Sequence, residues 1–157
     1  MKLGIGSDHW GIGLKSGLFE YLTAHGIQVV DFGTRTAEPI DYPDIAQAVA
    51  EAVANGIVNC GILICKTGLG MAIVANKIPG IYAATVHNLE TARAAAASNM
   101  ANIITLGSES LTLREACAIV SEWLQTPFKG GQSAFKIEKI HLLESKYYNG
   151  YRPQQAR

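Results

Sequence analysis

The sequence predicts an α/β protein: a three-layer Rossmann-like (flavodoxin-like) domain with a five-stranded parallel sheet, helices on both faces and a C-terminal helical arm. Three observations predict it. Short apolar runs of strand type alternate with helical stretches along the chain, and strands separated by helices are joined by parallel crossovers. Five such runs occur, which favours a flavodoxin-like or Rossmann-like order. The 157 residues are 48% hydrophobic, enough for one domain with a sizeable core.

Residues 2–6 read as the first strand. Residues 10–25 have helical periodicity, with Leu14, Leu18, Tyr21 and Leu22 on one face, and Gly26 is the stop signal. Residues 27–31 are the second strand. Asp41-Tyr42-Pro43 opens a helix, rich in Ala and Val, that runs to about residue 55 and is followed by Gly56. Gly61-Ile62-Leu63-Ile64 reads as a fully buried third strand. The turn Lys66-Thr67-Gly68-Leu69-Gly70 follows, then a helix over 71–77. Residues 81–86 are the fourth strand, 89–98 a helix with a run of alanines, 103–106 the fifth strand and 111–124 an amphipathic helix. A Pro- and Gly-containing connector over 126–131 leads to a last helix at about 133–147. Its Ile137, Ile140 and Leu143, each three apart, share one face. That arm either covers its own sheet or crosses to another subunit. The aromatic segment 146–152 packs on a partner or frays.

Charge and cysteine usage exclude some classes. With 13 basic and 13 acidic residues the net charge is zero, so no nucleic-acid or membrane-surface partner is expected. No run of eighteen apolar residues occurs, so no membrane-spanning helix is expected. Cys60, Cys65 and Cys117 form neither a zinc-ligand spacing nor a disulfide framework. An odd cysteine count without a secretion signal suits the cytoplasm.

Two loops carry the candidate chemistry. Cys65 ends the third strand directly before a Gly-containing loop that opens a helix. In open α/β sheets ligands bind at that edge. Backbone N–H groups there suit an oxyanion, and the setting favours a thiolate. Cys65 is a candidate base or nucleophile; the alternative is a buried structural thiol. The loop Gly6-Ser7-Asp8-His9-Trp10-Gly11 follows the first strand, on the same edge. Asp8 either caps the next helix or binds substrate, and His9 offers a donor that switches near neutral pH. Tyr42 either lines the pocket or starts a helix in the core.

Cys65-Lys66-Thr67-Gly68-Leu69-Gly70, with Ala75-Asn76-Lys77 beyond it, resembles the loop of the ribose-5-phosphate isomerase B and galactose-6-phosphate isomerase family. That family usually reads Cys-Gly-Thr-Gly-x-Gly, with Asn-Lys a few residues on. Asp8-His9, Tyr42-Pro43 and Asn99 are similar to further family motifs, so the resemblance spans nearly the whole chain. It implies an aldose–ketose isomerase acting on a small sugar phosphate through an enediolate, with no metal or organic cofactor. Cys65 would be the base, and the N–H groups of about Thr67 to Met71, including Gly68, Leu69 and Gly70, would hold the oxyanion. The Thr67 hydroxyl would shuttle a proton. Asp8 would bind substrate hydroxyls and assist ring opening, His9 would contact substrate or phosphate, and Asn99 would support the oxyanion. The alternative for Asn99 is a helix C-cap. The resemblance also implies a homodimer, with tetramers or hetero-oligomers as variants, in which the C-terminal arm completes the neighbour's site.

The chain departs from the pattern at several positions. Lys66 replaces the usual Gly; it supplies charge, tunes Cys65 or points to solvent. Ser98 stands where the best-known bacterial members have a ring-opening His, and Ser is no general acid near pH 7. Branches with Ser-Asn there include, by resemblance, isomerases of erythrulose phosphates. A four-carbon sugar phosphate cannot close a stable ring through its phosphorylated oxygen, so it needs no ring-opening acid. Glu109 stands where members often have Arg. Gln132 and Lys136 stand where two Arg are usual, and Lys lacks the bidentate fork. Two other functions compete: a non-catalytic or partner-dependent sugar-phosphate-binding subunit, and a flavodoxin-like nucleotide or flavin binder. The second lacks the dinucleotide glycine fingerprint.

Overall fold

The computed structural model describes residues 1–36 and 38–148. Five strands, β1 (Lys2–Ser7), β2 (Gln28–Asp31), β3 (Cys60–Cys65), β4 (Ala83–Thr85) and β5 (Ile103–Gly107), form one sheet in the order β2-β1-β3-β5-β4, and every pairing is parallel. The β2-β1-β3 half follows the flavodoxin order. Beyond β3 the last two strands exchange places. The reason is burial: β5 is buried along its whole length, whereas β4 is three half-buried residues, suited to an edge.

Six helices surround the sheet: α1 (Ile12–Ala24), α2 (Tyr42–Ala54), α3 (Leu69–Ala75), α4 (Leu89–Ala97), α5 (Leu113–Gln125) and α6 (Gln132–Tyr147). Strand side chains alternate between the two faces. Leu3, Ile5, Ile62, Ile64, Ile104 and Leu106 pack with α1, α4 and α5. Leu63, Cys65 and Ile103 pack with α2 and α3. Each fully buried Leu or Ile contributes about 1.5–3 kcal/mol, so these two layers hold the sheet ends in place.

The boundaries shift where side chains take backbone bonds. Asp8 accepts the N–H groups of Trp10 and Gly11, so residues 9–11 form a short 3₁₀ turn before α1 begins. The Tyr82 N–H donates to Asn102 Oδ1 (2.9 Å), which shortens the fourth strand at its start. Thr112 caps α5, so the helix opens two residues later than its periodicity alone predicts.

The arm α6 is anchored at few points. Ile137 is buried, and Glu144 accepts the Gly80 N–H and the Tyr82 hydroxyl, each at 3.2 Å. Phe135 (69% exposed), Leu142 (62%) and Leu143 (58%) are uncovered. Of the predicted face, Ile137 packs on this chain, Ile140 keeps 39% of its surface exposed and Leu143 is mostly uncovered. In the aromatic segment, Lys146 stacks over Tyr147, and 149–152 lie outside the described residues.

Candidate active site

The direction of chain winding reverses between β1 and β3, so the crevice outside their carboxyl ends is the natural ligand position. Ser7 pairs with Ile64, and the Asp8 N–H donates to the Ile64 carbonyl (3.3 Å). Asp8 and Cys65 therefore emerge side by side.

Cys65 is buried, and its Sγ accepts the Gly68 N–H at 3.1 Å. That bond strengthens when the sulfur carries charge. Gly68 sits at φ +81, and a Cβ there would meet the Leu106 carbonyl carbon at 3.0 Å. Only glycine makes this turn without strain. The Thr67 hydroxyl accepts the Leu69 N–H (3.3 Å). The N–H groups of Gly70 and Met71 have no hydrogen-bond partner among the described residues, as expected at a helix start. The Tyr42 ring covers this start: a Cβ on Gly70 would lie 2.7 Å from its Cε2. Tyr42 thus both opens α2 and walls the loop.

The loop after β5 closes the other side. The Ser108 N–H donates to the Cys65 carbonyl (2.9 Å) and the Glu109 N–H to the Lys66 carbonyl (3.2 Å). Lys66 does not hang free in solvent. Its Nζ lies 3.2 Å from Glu109 Oε1 and 5.0 Å above the Trp10 ring. The other two thiols are set apart. Burial pushes Cys60, at the far end of β3, up to about 12, and raises Cys117 on α5 as well.

Asp8 is buried, and Oδ1 makes both capping bonds, to Trp10 (2.9 Å) and Gly11 (3.3 Å). The capping role is therefore real, and it leaves Oδ2 unused. The His9 Nδ1 and the Ser7 Oγ are buried without a partner. Ser7 carries no assigned role in the sequence reading. Its signal was the alternation that puts it on the buried face with Leu3 and Ile5.

Ser98 and Asn99 are elsewhere. Both are exposed at the end of α4, on the amino edge of the sheet. The strand they precede starts at Ile103, and Gly107, four residues on, is the partner of Cys65. At about 3.3 Å per residue that places them roughly 13 Å or more from the thiol. The left-handed position after α4 falls on Met100 (φ 51) rather than on Asn99. Lys136 is exposed on α6, whose anchors Gly80 and Tyr82 precede β4, again on the amino edge. His141 is half-buried against Tyr82. A cleft of about 580 Å³ lies at this edge, lined by residues including Asn59, Met100, Asn102 and His141.

The candidate residues thus fall into two groups at opposite edges of the sheet. Cys65, Lys66, Thr67, Gly68, Leu69, Gly70, Asp8, His9 and Tyr42 converge at the carboxyl edge, and Ser98, Asn99 and Lys136 do not join them. Among the described residues no cluster of His, Cys, Asp or Glu is placed to hold a metal ion, and no helix is long and apolar enough to cross a membrane.

Comparison with known proteins identifies the family. The chain is 41% identical over 146 residues to Ribose-5-P isomerase B of Listeria innocua, covering 93% of this chain and 99% of that one. It is also 41% identical over 145 residues to the D-erythrulose-4-phosphate isomerase of Pectobacterium atrosepticum, covering 92% and 95%. The solved structure of Clostridium thermocellum ribose-5-phosphate isomerase B superposes with a TM-score of 0.92 at 48% identity, covering 94% of this chain and 99% of that one. Residues 3–140 match the family described as Ribose/Galactose Isomerase, and the chain belongs to that family.

Proposed function

We propose that this chain interconverts the aldose and ketose forms of a small sugar phosphate through an enediolate, with Cys65 as base. The observation that carries the reading is the Cys65 Sγ, held by the Gly68 N–H at the β1/β3 crevice beside two unpaired N–H groups. Membership of the isomerase family supports it.

The Cys65 thiolate takes the proton from the carbon next to the carbonyl. The electron pair moves onto the carbonyl oxygen, and the enediolate accepts hydrogen bonds from the loop N–H groups, each such donor being worth about 3–4 kcal/mol in related sites. The Thr67 hydroxyl passes a proton between the two substrate oxygens. The Cys65 thiol then returns its proton to the adjacent carbon, which regenerates the thiolate. Asp8 Oδ2 accepts a substrate hydroxyl, His9 contacts the substrate or its phosphate, and Tyr42 and Lys66 bound the pocket. Ser98, Asn99 and Lys136 serve the site of a second subunit, with α6 exchanged in a homodimer. The split between the two sheet edges and the uncovered face of α6 support this sharing. Asn99 supports the neighbour's oxyanion, and Lys136 supplies charge toward the phosphate.

The substrate is ribose-5-phosphate-like or shorter. Ser98 favours the shorter, open-chain end, because it supplies no ring-opening acid, and one relative is named for a four-carbon substrate.

The test is solvent-deuterium exchange followed by NMR, on four-, five- and six-carbon aldose and ketose phosphates, with wild type and Cys65→Ala. Exchange at the carbon beside the carbonyl is expected, and should fall by at least about 10²-fold in the variant. No exchange on any of these substrates would overturn the reading in favour of a binding or partner-dependent subunit.

A further inference from the structure

Trp10, Lys66 and Glu109 come from the loops after β1, β3 and β5, which are adjacent in the sheet. They meet at the carboxyl edge beside Cys65. Lys66 Nζ bridges Glu109 Oε1 (3.2 Å) and the Trp10 ring (5.0 Å). The main chain ties the same loops together through Ser108 to Cys65 and Glu109 to Lys66. The pair is formally neutral, so Lys66 is not left to match a phosphate. An ion pair this exposed adds little to fold stability. Its consequence is geometric. It links the loops after β1, β3 and β5 across the carboxyl ends of those strands.

We infer that Trp10, Lys66 and Glu109 form a clasp across the Cys65 crevice that limits the length of molecule reaching the thiol. Resting on the isomerase reading, the limit falls on the carbon chain of the sugar phosphate. The three residues are positioning groups that set specificity and take no part in proton transfer. Because the pair faces solvent, salt loosens it.

The experiment compares wild type, Lys66→Gly, Glu109→Gln and Trp10→Ala, all as full-length chains carrying Cys117→Ser. Each is first checked by circular dichroism. Cys65 labelling is followed by peptide mass spectrometry, with iodoacetamide and with a bulky aromatic maleimide. In Lys66→Gly and Trp10→Ala the maleimide-to-iodoacetamide rate ratio is expected to rise about tenfold, and kcat/KM for six-carbon over four-carbon sugar phosphates to rise by a similar factor. In Glu109→Gln both ratios rise less, and added salt raises the labelling ratio of wild type but not of this variant. An unchanged labelling ratio in both Lys66→Gly and Trp10→Ala overturns the clasp. So does a raised labelling ratio without any change in chain-length preference. If wild type turns over no sugar phosphate, the isomerase reading fails instead, and the labelling ratio alone decides the clasp.

Discussion

Cys60 and Cys65 begin and end the same strand, yet their surroundings divide their chemistry. Cys65 meets an N–H donor at the crevice. Cys60 lies in the core beneath α1 and α5, where burial pushes it up to about 12 from 9.0. The folded protein therefore keeps the Cys60 proton in a range where the unfolded chain loses it. This contribution to stability is full below pH 9 and is lost as pH rises from 9 toward 12. The slope is at most about 1.4 kcal/mol per pH unit. Urea midpoints measured at about pH 8 and about pH 10 should fall more steeply for wild type than for Cys60→Ala. Cys60 should also stay unalkylated at neutral pH while Cys65 reacts, as peptide mapping would show.

Among the elements, α5 has the most explicit local code. Thr112 and Glu115 form a reciprocal cap: Glu115 Oε2 accepts both the Thr112 hydroxyl (2.6 Å) and its N–H (2.8 Å), and the Glu115 N–H donates back (3.3 Å). The Thr112 hydroxyl, then its N–H, hold the Glu115 carboxyl below the usual range. Thr112→Ala should destabilise the protein by about 1 kcal/mol at neutral pH. The depressed carboxyl makes the Glu115 share present above pH 4.5 and lost as pH falls through its folded value. The gap between wild type and Thr112→Ala in denaturant midpoints should therefore narrow in acid. The amphipathic period of α5 was legible in the sequence but its Thr112 cap was not read there, and the α6 face was legible only in part. Ile137 is buried as its position in that periodicity suggests, but Ile140 and Leu143 on the same face are exposed in this chain.

Across the whole molecule, the separation of Cys65 from Ser98 and Asn99 at opposite sheet edges sets the strongest constraint. In the proposed dimer each site takes Cys65 from one subunit and Asn99 from the other. Cys65→Ala and Asn99→Ala should each be nearly inactive alone. Subunits of the two kinds, unfolded together and reassembled, should recover about one quarter of wild-type activity: about half the dimers are mixed, and each mixed dimer has one intact site of two. Recovery near zero would instead place both residues in one subunit's site, against the separation seen here. Exchange of α6 in the proposed two-fold dimer predicts further that Phe135→Glu weakens association, which sedimentation would report, with activity lost in parallel.

The chain by itself determined what short-range physics encodes. Strand runs, helix periods and stop signals place all five strands and six helices, because each depends on neighbours a few residues away. The Cys65 loop and the cap at Asp8 were legible for the same reason. Only the tertiary structure decided that β5 lies inside β4, since this turns on which strand the helices bury from both sides. Only it decided that Asp8 spends one oxygen on a cap and keeps the other, and that Tyr42 walls the loop as well as opening a helix. Lys66 and Glu109, which look like two separate departures in the sequence, become one ion pair when parallel strands bring their loops together. Ser98 and Asn99 read as part of the Cys65 site in one dimension. In three, a helix running antiparallel to the strands carries them to the opposite edge, because each crossover must return the chain to the start of the next parallel strand.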